Sequence, residues 1–196
     1  MKKIAVVKQP MIGLYNLTVV LVSCVDKKEK PNIIPLGWVG GVCSDPPQVG
    51  IAIRPHRYSY NLIKETKEFV VNIPTEELVK VVDKTGFCSG KDVDKFKEFN
   101  LTPLPASKIS IPLIKECSVN LECKLRHLLE LGSHGLFIGE IVAVQVDEEY
   151  VKEDGEINYS LLKPLVLKHD EYCGMTEPLG WYGFTKFKEK VVSKVF

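Results

Sequence analysis

Apolar residues recur at every second position through much of this chain. Residues 18–25 form a compact run rich in Val, closed by the charged turn 26–30 and Pro31-Asn32, and a second apolar run covers 33–43. Together they predict a hairpin or meander, because β-branched side chains pack well on a pleated surface. Residues 48–54 predict a third strand, entered from Asp45-Pro46-Pro47 and ended by Pro55, whose ring removes a ladder donor. The period then changes. Residues 60–66 fit a short helix with Ser59 as its N-cap, and 68–73 fit another strand. After Thr75, an N-cap with Glu76 and Glu77 in the first turn, Leu78, Val81 and Val82 fall at helical spacing up to Gly86. A second short helix is predicted over 93–99, and residues 101–112, with three prolines, are predicted to form a long surface loop.

The second half carries the clearest alternation. Val119, Leu121, Cys123, Leu125, His127, Leu129 and Leu131 share one parity, which predicts a long strand with one buried face and places His127 in the core. Gly132-Ser133-His134-Gly135 turns the chain, and 136–146 runs back with apolar residues on both parities, so cover is expected on both sides. Long antiparallel neighbours of this kind fit a closed barrel, a mainly β fold with short helices. Residues 150–196 are expected to be a C-terminal extension of a single domain spanning 1–196, packing on the barrel or on a dimer partner. Its aromatics Trp181, Tyr182, Phe184 and Phe187 predict a packing or dimer surface.

Composition narrows the function. A chain of 196 residues buries roughly 70% of its unfolded surface, enough for one self-sufficient core. Lys plus Arg number 26 against 25 Asp plus Glu, and this near-neutral balance argues against a nucleic-acid partner. No apolar run approaches the roughly 20 residues of a membrane span, and residues 1–7 lack a signal-peptide core, so the expected location is the cytoplasm, away from any membrane. The six cysteines form no Cys-x-x-Cys pair and the four histidines no doublet, so no metal site is expected. The cysteines read as reduced, mostly buried small hydrophobes, with Cys43 and Cys88 set apart by their surroundings. Dinucleotide-fold and P-loop glycine signatures are absent.

Arginine is the most informative residue. The chain has 23 lysines and three arginines, yet Arg54 and Arg57 sit within four residues where a strand gives way to a helix N-terminus near Ser59. Guanidinium forks match phosphate oxygens, and the free amides of a first helical turn favour an anion. A solvated pair around a Pro-containing turn has the same spacing, so both readings stand. One strand earlier, Gly37-Trp38-Val39-Gly40-Gly41-Val42-Cys43-Ser44 either lets a flat ring approach bare backbone or makes a bulge. Taken with the arginines, it describes the two ends of one mononucleotide: ring along the glycines, phosphate at Arg54, Arg57 and Ser59. Residues 86–96, with Cys88, Ser89 and Lys95, suit a loop closing over a ligand or an exposed connection between helices.

These residues also occur in a familiar order. Asn32-x-x-Pro35-x-Gly37-Trp38, Ser44-Asp45-Pro46-Pro47, Arg54-x-x-Arg57-Tyr58-Ser59 and Glu68-Phe69-Val70-Val71-Asn72-Ile73-Pro74 follow one another. Cys88-Ser89-Gly90, Asp94-Lys95-Phe96, Leu121-Glu122-Cys123, Gly132-Ser133-His134 and Gly139-Glu140 come next. The set, spanning roughly 10–145, resembles the flavin reductase-like family of FMN-binding split barrels, of the flavoredoxin and archaeal ferric reductase type. The resemblance implies a homodimeric Greek-key split β-barrel holding FMN as cofactor. It implies that Gly37, Trp38, Val39, Gly40, Cys43 and Ser44 line the flavin ring and that Arg54, Arg57, Tyr58 and Ser59 take its phosphate side. Cys88, Ser89 and Lys95 would also approach the flavin, with His134 as a catalytic position on the substrate side of the ring. The implied activity is an oxidoreductase passing electrons from NAD(P)H or a redox protein through flavin to an acceptor such as a ferric chelate. The alternative is an FMN-binding electron carrier or storage protein without NAD(P)H turnover of its own.

Overall fold

The computed structural model describes residues 16–159, 161–176 and 178–186. In chain order the first elements are β1 (Asn16–Thr18), β2 (Val20–Val25), β3 (Pro31–Leu36), β4 (Val39–Ser44), β5 (Pro47–Ile53), α1 (Tyr58–Thr66) and β6 (Glu68–Ile73). A 3-10 turn at Glu76–Leu78 leads into α2 (Val79–Gly86), followed by the one-turn α3 (Lys95–Glu98). Then come β7 (Pro103–Leu104), β8 (Leu113–Ile114), β9 (Val119–Glu130), β10 (Gly135–Val146), β11 (Val166–Lys168) and β12 (Glu171–Cys173). The expected strand at 68–73 and the helices after Thr75 and near 93–99 form close to their expected bounds.

Seven strands make one antiparallel sheet in the order β3-β2-β6-β9-β10-β5-β4. Its two edge strands, β3 and β4, are consecutive in the chain and separated only by Gly37 and Trp38. Two residues reach only about 7 Å, so the sheet must curl until the end of β3 stands beside the start of β4, although no ladder joins the two strands. This closure is the barrel, and it divides the apolar run 33–43 into two strands at opposite edges.

Every residue of β2 is buried because both of its faces are covered. Val20, Val22 and Cys24 point into the barrel with Ile51, Ile53, Phe69 and Phe137. Leu21 packs outside with Val82 of α2, Phe96 of α3 and Leu165 of the C-terminal segment. That segment returns to the barrel: β11 pairs antiparallel with β1, and Leu162 and Leu165 are buried. Of the tail aromatics, Trp181 lies 6.0 Å from Phe184 and Tyr182 is fully exposed, while Phe187 lies outside the described residues.

The loop 101–112 runs over the surface as expected, although its ends, Leu101 and Ile111, are buried. It is tied to β9 by a buried carboxylate. Glu122 accepts hydrogen bonds from the Ser107 and Lys108 amides, the Ser107 hydroxyl and the Gln145 side chain, at 2.7–2.9 Å.

Two expectations are corrected. His127 is exposed, not a core histidine. His127 pairs with Ile138 while Leu125 pairs with Gly139, so Arg126 is an extra residue, and this bulge flips the parity of the strand end. Leu128, opposite Phe137, takes the inward position instead. Cover over β10 is also uneven: Gly135, Phe137 and Gly139 are buried on one face, whereas Leu136 and Ile138 on the other are half-buried, and Val144 further along is exposed.

Candidate functional site

The end of the barrel where β3 hands over to β4 opens into a cavity of about 630 Å³, bounded by β5, the start of α1, the α2–α3 connection and the β9–β10 hairpin. Its wall collects four separate stretches of sequence. Gly37 and Trp38 come from the crossover, and Arg54, Arg57, Tyr58 and Ser59 from the junction after Pro55. Cys88, Ser89 and Lys95 come from the α2–α3 region, and His134 from the hairpin. Ten of the sequence-expected residues therefore share one site. Val39, Gly40, Cys43 and Ser44 do not line it in the single chain; they run along β4, an edge strand exposed over most of its length.

The mouth is cationic. Arg54 and Arg57 are exposed, and among the described residues neither has a carboxylate partner. Among the described residues, Asp92 is the only carboxylate in the wall. Arg57 is the N-cap residue of α1, with the extended dihedrals φ −71° and ψ 137°. Ser59 is therefore not the cap that its residue type predicts; it lies inside the first turn. Its hydroxyl is buried and accepts a hydrogen bond from Asn32 Nδ2 at 2.8 Å. The Tyr60 amide donates to the Arg57 carbonyl at 3.0 Å, while the Tyr58 and Ser59 amides have no acceptor within the helix and remain available beside the arginines.

The floor is polar and buried. Lys95 is 4% exposed, and its Nζ donates to the carbonyls of Ile33 at 2.9 Å and Thr85 at 2.6 Å. Burial pushes its ammonium pKa down, opposed by the nearby Cys88 and Cys24 thiols, with Arg57 adding to the depression. An ammonium has three protons to donate, so two carbonyls leave one direction for a ligand. Asp94 sets this lysine at the helix start by accepting from the Lys97 amide at 3.3 Å. Asn32, 3% exposed, holds Ser59 and lies 3.6 Å from Cys24 Sγ through Nδ2, and its Oδ1 has no donor. Burial pushes the Cys24 thiol up to about 11, so it stays protonated.

Gly90 fits against Asn32 only because it has no side chain. A Cβ there would overlap Asn32 Oδ1 and press on the Tyr58 ring. Tyr58 in turn lies under Lys91 Nζ, 5.8 Å from the ring centroid. The α2–α3 connection is thus drawn down onto the cavity rather than looping away from it.

At the outer end, the Trp38 and His134 rings stack with centroids 4.4 Å apart at 23°. Ser133 Oγ lies 2.9 Å from His134 Nδ1. Burial, and then the neighbouring Arg54 and His56, hold the His134 pKa below 6.5, so the ring is neutral near pH 7. Among the described residues no cluster of three His, Cys, Asp or Glu forms a metal site, and no helix is long and apolar enough to cross a membrane.

Residues 12–176 match the flavin reductase like domain. The chain belongs to the flavin reductase-like family. The flavoredoxin of Desulfovibrio vulgaris (Miyazaki F) is similar in structure, with a TM-score of 0.86 and 32% identity over 95% of this chain and 100% of that one. Flavoredoxin from Methanosarcina acetivorans gives 0.84 and 30% over 97% and 100%. A protein of Archaeoglobus fulgidus is 40% identical over 149 residues, 76% of this chain and 83% of its own. The mainly β split barrel is thus common to this flavin reductase-like chain and its structural relatives.

Sequence reasoning did not assign site roles to several wall residues of this family member. Asn32 and Pro35 stood in the ordered motifs without a role, and Phe87, 85% exposed at the rim, had no periodic signal. The signal available for Asn32 was its polar amide inside an otherwise apolar strand.

Proposed function

We propose that the cavity binds FMN and that the protein is an oxidoreductase moving electrons from NAD(P)H through the flavin to an acceptor such as a ferric chelate or a redox protein. The observation that carries this reading is the pair of unpaired guanidinium groups, Arg54 and Arg57, at a helix start beside a cavity large enough for a nucleotide. The wall residues fit such a ligand. Arg54, Arg57 and the free Tyr58 and Ser59 amides would take the phosphate. Gly37 and Trp38 would flank the ring system, and Lys95 would reach it from the floor with its remaining proton. Asn32 Oδ1, buried without a donor among the described residues, is an acceptor in the cavity wall that an N–H or O–H of a bound molecule would satisfy.

Bound there, FMN would supply two-electron acceptance and one-electron release. The chain's own contribution is positional and electrostatic. Lys95 and the arginines stabilise negative charge in a partly dry site, and the Trp38–His134 pair shields one side of it. His134, neutral near pH 7, can donate or accept a hydrogen bond toward a substrate but carries no charge of its own. The exposed β4 strand, with Val39, Gly40, Cys43 and Ser44, is the surface where a second copy would complete a homodimer, since a bare edge strand invites pairing.

An electron carrier without NAD(P)H turnover is the second reading, favoured by likeness to two flavoredoxins. Anaerobic mixing of FMN-loaded protein with NADPH or NADH separates the two. Loss of the yellow flavin absorbance with a nicotinamide donor supports the enzyme; loss with dithionite alone supports the carrier. A protein that takes up no FMN would contradict both.

A further inference from the structure

Beside the first cavity lies a second, open depression of about 380 Å³, and His134 is the one residue that lines both. Its floor is the Tyr60 ring, fixed edge-on against Phe137 at 4.9 Å and 83°. Tyr60 reaches beneath the hairpin because Gly135 has no Cβ, which would stand 2.7 Å from that ring. The rim is polar. Asn61 and Lys64, one helical turn apart on α1, face Glu130 at the end of β9. Lys64 Nζ lies 3.7 Å from the Glu130 carboxylate, with the two side chains 48% and 71% exposed.

We propose that a dinucleotide electron donor lies across both cavities, with its nicotinamide half in the first and its second nucleotide in the depression, where Lys64 engages a phosphate. This rests on the flavin reading of the first cavity. A mononucleotide would need only one of the two spaces. A ligand using both must pass His134, and His56 stands there with it, a group the flavin reading leaves unused. Arg54 lines the same wall close enough to act on His134 electrostatically, so the crossing offers a cation to a linker that carries negative charge, as a pyrophosphate does. In the depression, Lys64 is the cation. Its ion pair with Glu130 is exposed, and such pairs hold weakly, so a phosphate can take the ammonium without stranding a buried charge. The released Glu130 carboxylate and the Asn61 amide then face the ribose hydroxyls.

The test is equilibrium binding of NADP+, NAD+ and nicotinamide mononucleotide to the FMN-loaded full chain, measured by calorimetry. Lys64→Ala should weaken NADP+ roughly tenfold, the size expected for one charge-assisted contact, and leave the mononucleotide unchanged. Lys64→Arg should restore NADP+ affinity. Weakening of NADP+ alone places the 2′-phosphate at Lys64; weakening of NAD+ as well places the pyrophosphate there. Unchanged NADP+ affinity, equal weakening of the mononucleotide, or no NADP+ binding by the unsubstituted protein overturns the proposal. Failure of the unsubstituted protein to take up FMN would show instead that the flavin reading beneath it is wrong, and the proposal falls with it.

Discussion

Trp38 and His134 stack at 4.4 Å although one stands at the β3–β4 crossover and the other in the β9–β10 hairpin. The contact joins the barrel's closure point to the far hairpin and puts an indole at the cavity edge. The chain has two tryptophans, Trp38 and Trp181, so a Trp181→Phe variant reports on Trp38 alone. Its fluorescence should be quenched in proportion as FMN is added and saturate at one flavin per chain. Undiminished emission at saturating FMN would place the ring system elsewhere.

Gly90→Ala would force its new Cβ into the Asn32 amide, which already holds Ser59. The α2–α3 connection must then lift from the floor. FMN affinity should fall at least tenfold, while the thermal midpoint drops by only a few degrees, since the barrel core is untouched. Visible-absorbance titration and a thermal melt check the two effects separately.

Lys95→Met keeps the aliphatic stem and removes the donor shared by the Ile33 and Thr85 carbonyls. Buried acceptors left unpaired cost about 1–3 kcal/mol, partly offset here because a desolvated charge also disappears. A net loss of about 1 kcal/mol in urea unfolding is expected, with a larger loss in FMN binding.

Burial raises the pKa of Glu122, but hydrogen bonds from the Ser107 amide, Gln145, the Lys108 amide and the Ser107 hydroxyl outweigh it and hold the carboxyl below 4.5. The unfolded chain therefore binds this proton at higher pH than the folded one does. The resulting stability is fully present above pH 4.5 and is lost as pH falls through the folded value. Glu122→Gln should be less stable at neutral pH by about 2 kcal/mol and should lose less on acidification. Urea midpoints at pH 7 and pH 4 measure both.

Strand positions were legible where a short apolar run rich in β-branched residues is bounded by turn residues, as in residues 68–73 and 20–25, both buried on two faces. Pro55 and the Arg54–Arg57 spacing marked the cationic junction between β5 and α1 because local chain chemistry sets both. Ser59 was misread as a cap because its actual partner, Asn32, is 27 positions away in sequence, and no local pattern encodes that. His127 was misplaced because a single inserted residue, Arg126, reverses the alternation, and periodicity cannot reveal a bulge that pairing with β10 creates. The glycine-rich segment divided for a similar reason. Gly37 and Trp38 remain at the cavity, whereas strand pairing with β5 carries Val39, Gly40, Cys43 and Ser44 along the sheet edge.

The most direct test titrates FMN and riboflavin, calorimetrically, into the unsubstituted protein and into Arg54→Ala/Arg57→Ala. The two ligands differ only by the phosphate, so the account predicts that the double variant loses roughly a hundredfold in FMN affinity, as two charge-assisted contacts warrant, while riboflavin binding stays within about twofold. Equal weakening of both ligands, or unchanged FMN affinity, would contradict a phosphate held at these arginines.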